Sequence, residues 1–216
     1  MNDITEKLAQ FPQLNRPAPD FTAKTTHGER SLKDYKGKWL VLFSHPADFT
    51  PVCTTEFIGF ANAADKFASL NTDLLGLSID SVHAHIAWVL NIKEKFGVNI
   101  PFPIIADLSM EVANAYGMVQ PGASDTSAVR ATFIIDPDGI LRAMLYYPMS
   151  NGRSVNEFVR LVEAMQTSDA HSVATPENWV KGEEVIVPPP HTVEDAEGRK
   201  DLGNNYVDWY FSKTSV

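Results

Sequence analysis

Two uninterrupted apolar runs, KWLVLFS at 38–44 and DLLGLSID at 73–80, limit what this chain can fold into. A run of that length and composition predicts a strand buried on both faces, which needs helices packed above and below it. The segment between the runs supplies one cover. In CTTEFIGFANAADKFASL, Cys53, Phe57, Phe60, Ala61, Ala64, Phe67 and Ala68 recur at intervals of three and four, so one face of a helix is apolar. Strand, helix and strand in this order predict a parallel crossover.

The remaining segments extend the pattern. DFTAKTT (20–26) reads as an entering strand, and SVHAHIAWVLNIKEKFG (81–97) as a helix with Ser81 as N-cap and Gly97 as its stop. PFPIIAD (101–107) is a third strand, and SMEVANAYG (109–117) a short helix closed by Gly117. ATFIIDPDGILRAMLYY (131–147) places two apolar strands around Asp136-Pro137-Asp138-Gly139, a hairpin signal. SVNEFVRLVEAMQ (154–166) adds a helix with Phe158, Leu161, Val162 and Met165 on one face. The order implies an α/β domain with a mixed central sheet flanked by helices, and it resembles the thioredoxin-like fold.

Residues 1–171 form the expected main domain and 172–216 a small C-terminal α+β extension, with a triple proline, a polar helix and the aromatic strand YVDWYF. Trp179, Trp209, Tyr210 and Phe211 carry too much apolar surface to leave in water, so they are expected to pack on the core or on another subunit.

Charge and cysteine usage narrow the partners. Net charge is −9 and the basic residues are scattered, which argues against nucleic acid and against an anionic membrane surface. No apolar run is long enough to cross a bilayer, and the first residues lack the basic and apolar regions of a secretory signal. One cysteine allows no disulfide within the chain, which suits a reducing cytoplasm.

That cysteine sits in FSHPADFTPVCTTEF (43–57). Thr50 followed by Pro51 is a helix start, with Thr as N-cap and Pro at N1. Cys53 therefore falls in the first turn, where N–H groups lack carbonyl partners and the macrodipole is positive, and both favour a thiolate. A lone cysteine on an apolar helix face can equally be an inert core residue.

The constellation weighs against the inert reading. Pro46, Thr50 and Cys53, with Arg130 in AVRATFIID, form a pattern that resembles the peroxiredoxin active site, Pro-x-x-x-Thr-x-x-Cys completed by a distant arginine. FSHPADFTPVCTTEF, VRATFIIDPDGILRAMLYYP, GRSVNEFVRLVEAMQ and VATPENWVKGEEVIVPPP, in that order, are similar to the single-cysteine subgroup with a long C-terminal extension. The resemblance spans about residues 17–190. It implies a thiol-dependent peroxidase in antioxidant defence, needing no cofactor and no metal. Cys53 would reduce hydrogen peroxide or alkyl hydroperoxides, become a sulfenic acid and be restored by an external thiol or other reductant. It also implies a homodimer with the C-terminal arm at the contact, with a decamer as the larger assembly.

Physical chemistry says what the neighbours must do. For any thiol, lowering the pKa from about 8.5 to about 6 gives roughly 30-fold more thiolate at neutral pH but about 13-fold lower nucleophilicity. Ionisation alone gains about two-fold, so other groups must polarise the peroxide. Arg130, brought to the cysteine as the resemblance implies, offers permanently charged donors to sulfur and peroxide, and Thr50 Oγ can accept from the peroxide while donating to the thiolate. Pro46 shields the pocket, and the N–H groups of Val52 and Cys53 are candidate substrate donors. His45, Glu56 and Arg153 are candidate supporting residues: His45 beside the sulfur or merely half-buried at a strand end, Glu56 holding an arginine, and Arg153 resembling the family's second arginine, either of the last two equally readable as a surface ion pair.

Other chemistries lack their residues. A disulfide oxidoreductase needs a second cysteine, and a phospholipase motif Gly-x-Ser-x-Gly is missing from YKGKWLVLFSHP. His83 and His85 lie two apart on a helix and face different ways, so HAH reads as a solvated pair and not a metal site. A cysteine-histidine hydrolase needs a base beside Cys53 that no segment singles out. A holdase with a structural Cys53 is the remaining alternative.

Overall fold

A computed structural model describes residues 11–123, 126–201 and 205–216. The chain divides into two compact units, the first ending at Val155 and the second beginning at Asn156.

In the first unit the chain runs β1 (Thr22–Thr25), β2 (Gly28–Ser31), β3 (Trp39–Ser44), α1 (Pro51–Asn62), α2 (Ala64–Ser69) and β4 (Thr72–Ser78). It continues through α3 (Val82–Phe96), β5 (Ile104–Ala106), α4 (Glu111–Ala115), β6 (Arg130–Ile135) and β7 (Leu141–Tyr147). The seven strands form one sheet ordered β2-β1-β5-β4-β3-β6-β7. β3 pairs parallel with β4, and β4 with β5, whereas β6 lies antiparallel to β3 and β7 antiparallel to β6. The sheet is mixed, as the order of sequence elements implies. β2 adds an antiparallel strand at the edge that the sequence does not announce, since GERS has almost no apolar content.

Alternation in β3 assigns the two faces. Leu40 and Leu42 join Leu75, Leu77, Phe133, Ile135 and Tyr116 in the larger core cluster. Phe43 points the other way and stacks on Phe60 of α1 at 3.9 Å between ring centroids. That aromatic contact seats α1 on the sheet and sets where its first turn ends up. The helix signals hold on α3, where the Ser81 side chain accepts from Ala84 N–H and Gly97 closes the helix at φ 70°. Asp136 N–H donates to Ile140 O, closing the turn between β6 and β7.

In the second unit, α5 (Val155–His171) leads to β8 (Val185–Ile186), α6 (Val193–Gly198), β9 (Asn205–Asp208) and β10 (Phe211–Thr214). The three strands form a small sheet ordered β8-β10-β9. Trp179 is buried against Ala164, Val185 and Val173, so it packs as expected. YVDWYF is not one strand. It bends at Trp209–Tyr210 into a hairpin, where the Asp208 carboxylate accepts from the Trp209 N–H. Trp209 and Tyr210 are left 49% and 55% exposed at the tip. Among the described residues, no helix is long and apolar enough to cross a membrane.

Candidate active site around Cys53

Thr50 precedes α1 in an extended conformation with Pro51 at its first position, as the sequence predicts. The Thr50 hydroxyl does not cap the helix. It donates to the Ala47 carbonyl at 2.9 Å, tightening the loop before α1 and leaving its lone pairs free of the helix N–H groups. No carbonyl among the described residues accepts from the N–H groups of Val52 and Cys53. These donors surround the start of a helix whose third residue is Cys53, itself fully buried. Pro46 is buried just before them.

β6 delivers the arginine from across the sheet. Arg130 Nη1 donates to Cys53 Sγ at 3.3 Å and to Glu56 Oε2 at 2.8 Å, and its Nε donates to the Met149 carbonyl at 2.9 Å. Nη2 has no partner among the described residues, so one side of the guanidinium remains available to a ligand. Glu56 lies one turn beyond Cys53 on α1, and it also receives Arg153. The Arg153 backbone N–H and Nε donate to Oε1 at 2.8 and 2.9 Å, and Nη2 donates to Oε2 at 2.8 Å. Arg153 Nη1 reaches the Ala131 carbonyl and Thr132 Oγ1, and its guanidinium stands 5.4 Å from the centre of the Phe43 ring. Burial pushes the Glu56 carboxyl up, but the bonds and charges of Arg153, with Arg130 behind them, outweigh it and hold its pKa below the usual value.

His45 follows β3 and is fully buried, but its neighbours are Asp48 and aromatic rings. Nε2 lies 2.9 Å from Asp48 Oδ1, and Nδ1 has no partner. Asp48 Oδ2 is 2.7 Å from His85 Nδ1, so HAH is not a solvated pair: His83 is exposed and His85 fully buried. The spacing itself contains the reason, because two positions along a helix turn the side chain to the opposite face, and His85 shares the buried stripe with Trp88 and Ile92. Asp48 is the residue that sequence reasoning misses. Its position inside PADFT and the His-x-x-Asp spacing were the available signals.

Among the described residues His45, Asp48 and His85 are the one group with the composition of a metal site. Their 2.7 and 2.9 Å contacts are hydrogen-bond lengths, shorter than the roughly 3.3 Å between two nitrogen or oxygen ligands on one tetrahedral zinc. A cleft of about 250 Å³ lined by Tyr35, Lys38, Leu40 and Asp136 lies at the other end of β3 from Cys53.

Comparison with known proteins decides the family. Residues 14–144 match the AhpC/TSA family, and residues 164–205 match the C-terminal domain of 1-Cys peroxiredoxin. A peroxiredoxin of Aquifex aeolicus is 54% identical over 97% of this chain and 100% of its own length. The chain belongs to the peroxiredoxin family. A peroxiredoxin of Methanosarcina mazei is 53% identical over 93% of this chain and 96% of its own. Among solved structures, a yeast mitochondrial 1-Cys peroxiredoxin, described for thiol resolution via glutathione/thioredoxin systems, superposes with a TM-score of 0.84 at 38% identity. It covers 94% of this chain and 99% of that one. A cysteine-to-serine mutant of peroxiredoxin 6 from Arenicola marina gives a TM-score of 0.84 at 32% identity, over 94% of this chain and 98% of that one. As a peroxiredoxin with one cysteine, this protein is a thiol-dependent peroxidase: it reduces hydroperoxides through a cysteine sulfenic acid that an external reductant returns to the thiol.

Proposed function

We propose that Cys53 is the attacking thiolate, that Arg130, Thr50 and Pro46 build the peroxide site, and that Glu56 and Arg153 hold it in shape. The observation that carries this reading is the 3.3 Å contact from Arg130 Nη1 to Cys53 Sγ. The sulfur attacks the terminal oxygen of R–O–O–H; the S–O bond forms as the O–O bond breaks. Cys53 becomes a sulfenic acid, and the leaving RO⁻ takes a proton to depart as ROH. Charge grows on the leaving oxygen, where the free Arg130 Nη2 and the N–H groups of Val52 and Cys53 are the available donors. Thr50 Oγ donates to Ala47 and not to sulfur, so its part is to accept the peroxide O–H. Pro46 lends no donor and excludes water. His45 is directed to Asp48, which favours a role in holding the loop over a bond to sulfur.

The sulfenic acid has no second cysteine in its chain, so a thiol from outside, small or carried by a thioredoxin-like protein, attacks the sulfur, forming a mixed disulfide as the S–O bond breaks and water leaves, and a second thiol then releases Cys53 and carries the first away as a disulfide. The active form is a homodimer in the cytoplasm. The half-exposed Trp209 and Tyr210, beside an apolar cleft of about 420 Å³ lined by Pro190, Val193, Ala196 and Trp209, favour a second copy as their cover.

The test is mass spectrometry after one equivalent of peroxide. One oxygen added at Cys53, with no turnover by Cys53→Ser, is expected; an unmodified Cys53 in a protein that still consumes peroxide overturns the reading.

A further inference from the structure

The loop that joins β3 to α1 is tied down by a buried trio whose hydrogen bonds do not balance without an extra proton. His85 Nε2 lies 3.1 Å from the Ile105 carbonyl and His85 Nδ1 lies 2.7 Å from Asp48 Oδ2. Both partners are acceptors when the carboxylate is ionised, and a neutral imidazole has one N–H to give. Whichever nitrogen carries it, the other sets a lone pair against a lone pair in a site shut off from water. His45 adds no relief. Its Nε2 faces Asp48 Oδ1 at 2.9 Å, and a proton on Nδ1 would be a buried donor with no acceptor, so Nε2 carries the hydrogen and Nδ1 is bare.

We propose that His45, Asp48 and His85 together hold one proton more than two neutral imidazoles and a carboxylate would, and that this proton, between His85 Nδ1 and Asp48 Oδ2, clamps the loop bearing Pro46 and Thr50 onto α3. Asp48 and His85 are positioning residues, which touch no substrate; their effect on rate rests on the peroxidase reading of Cys53. The surroundings suit a net-neutral trio. The turn after β4 contributes Asp80, which accepts from the Asp48 N–H and the Ser78 hydroxyl; α1 contributes the Phe57 ring, α3 the Trp88 ring and β5 the Ile105 carbonyl. Burial lowers the His45 pKa, which opposes a second charge there. Removing the shared proton by raising the pH leaves a lone pair of His85 facing the carboxylate. The clamp then opens, and with it the placement of Thr50 and of the N-terminal turn of α1.

Asp48→Asn separates the proton from the clamp. Its amide can donate to a neutral His85 Nδ1 and accept from His45 Nε2–H, so the same bridge closes with no proton added. Nitrogen-15 spectra of histidine-labelled wild type, with carbon-13 spectra of the Asp48 carboxyl, count the protons at neutral pH. Two protonated nitrogens on His85, or one with a protonated Asp48 carboxyl, is the expected result; one bare nitrogen beside an ionised carboxylate overturns the proposal, and this arm needs no variant and no peroxide. In the kinetic arm, kcat/KM for hydrogen peroxide falls about tenfold per pH unit above the pH at which the spectra show the proton leaving, and Asp48→Asn lacks that limb. The same alkaline fall in Asp48→Asn overturns the clamp while the peroxidase reading stands. A wild type without peroxide turnover rejects the peroxidase reading and leaves the proton count intact.

Discussion

Arg153 grips the Glu56 carboxylate with three hydrogen bonds, one from its backbone N–H and two from its guanidinium, at 2.8 to 2.9 Å. The loop after β7 is thereby locked to α1 one turn beyond Cys53, and Arg130 bonds to the same carboxylate. Glu56→Gln replaces one acceptor oxygen with an amide that faces two buried guanidiniums. Removing one member of a buried ionic group costs about 3–5 kcal/mol, and a fall of that size in denaturant unfolding free energy is expected.

Arg130→Lys keeps a positive charge but loses the fork. A single ammonium cannot serve Met149 O, Glu56 and Cys53 Sγ together. Losing one preorganised donor to developing negative charge lowers rate by about 10²–10³, so kcat/KM for hydrogen peroxide falls by roughly that factor. Stopped-flow oxidation of Cys53 measures it; a change under threefold removes Arg130 from the mechanism.

Glu56 and His45 are two of the groups through which acid weakens this protein. The folded-state pKa of Glu56 lies below its ordinary 4.5, so the unfolded chain takes up the proton more readily; its contribution is complete above about 4.5 and is lost as pH falls through the depressed value. Burial likewise depresses His45 below 6.5, so the unfolded chain protonates first and stability declines as pH drops below about 6.5. Thermal midpoints measured from pH 7 down to pH 4 are expected to fall in both intervals, and His45→Phe flattens the upper one.

Gly76 lies in β4 with the Phe57 ring pressed on it: an added methyl would stand 3.1 Å from Phe57 Cζ. Phe57 cannot retreat, since Phe43, Phe102 and Trp88 surround it. Gly76→Ala therefore overpacks the seat of α1, at a cost of about 1–3 kcal/mol read from the unfolding midpoint.

If the hairpin tip meets a second copy, Trp209→Glu with Tyr210→Glu shifts sedimentation from dimer to monomer while circular dichroism is unchanged. Unaltered sedimentation removes the tip from the contact.

Much of this architecture could be read locally. Leu40 to Phe43 and Leu74 to Leu77 declare buried strands by composition, Ser81 and Gly97 bracket α3 by their backbone chemistry, and Asp136–Gly139 declares its turn. Cys53 and Thr50 lie within one short segment, so their proximity was legible as well. What could not be read depends on distant pairing. Glu56 meets Arg153 only because α1, the start of β6 and the loop before α5 converge, and no periodicity reports that. β2 is too polar to signal a strand, and its place comes from pairing with β1. Asp48 is short and polar in a loop, where burial depends on His85 arriving from α3.

One carboxylate shared by two guanidiniums leaves a surplus of one positive charge beside Cys53. In the proposed reaction the attacking Cys53 thiolate is the charge that offsets it. On the same proposal, a Cys53 that carries an oxygen and a proton leaves the guanidinium surplus without its counter-charge. Under that proposal the reducing thiol, arriving as a thiolate, would meet a net positive site where the peroxide had met a neutral one.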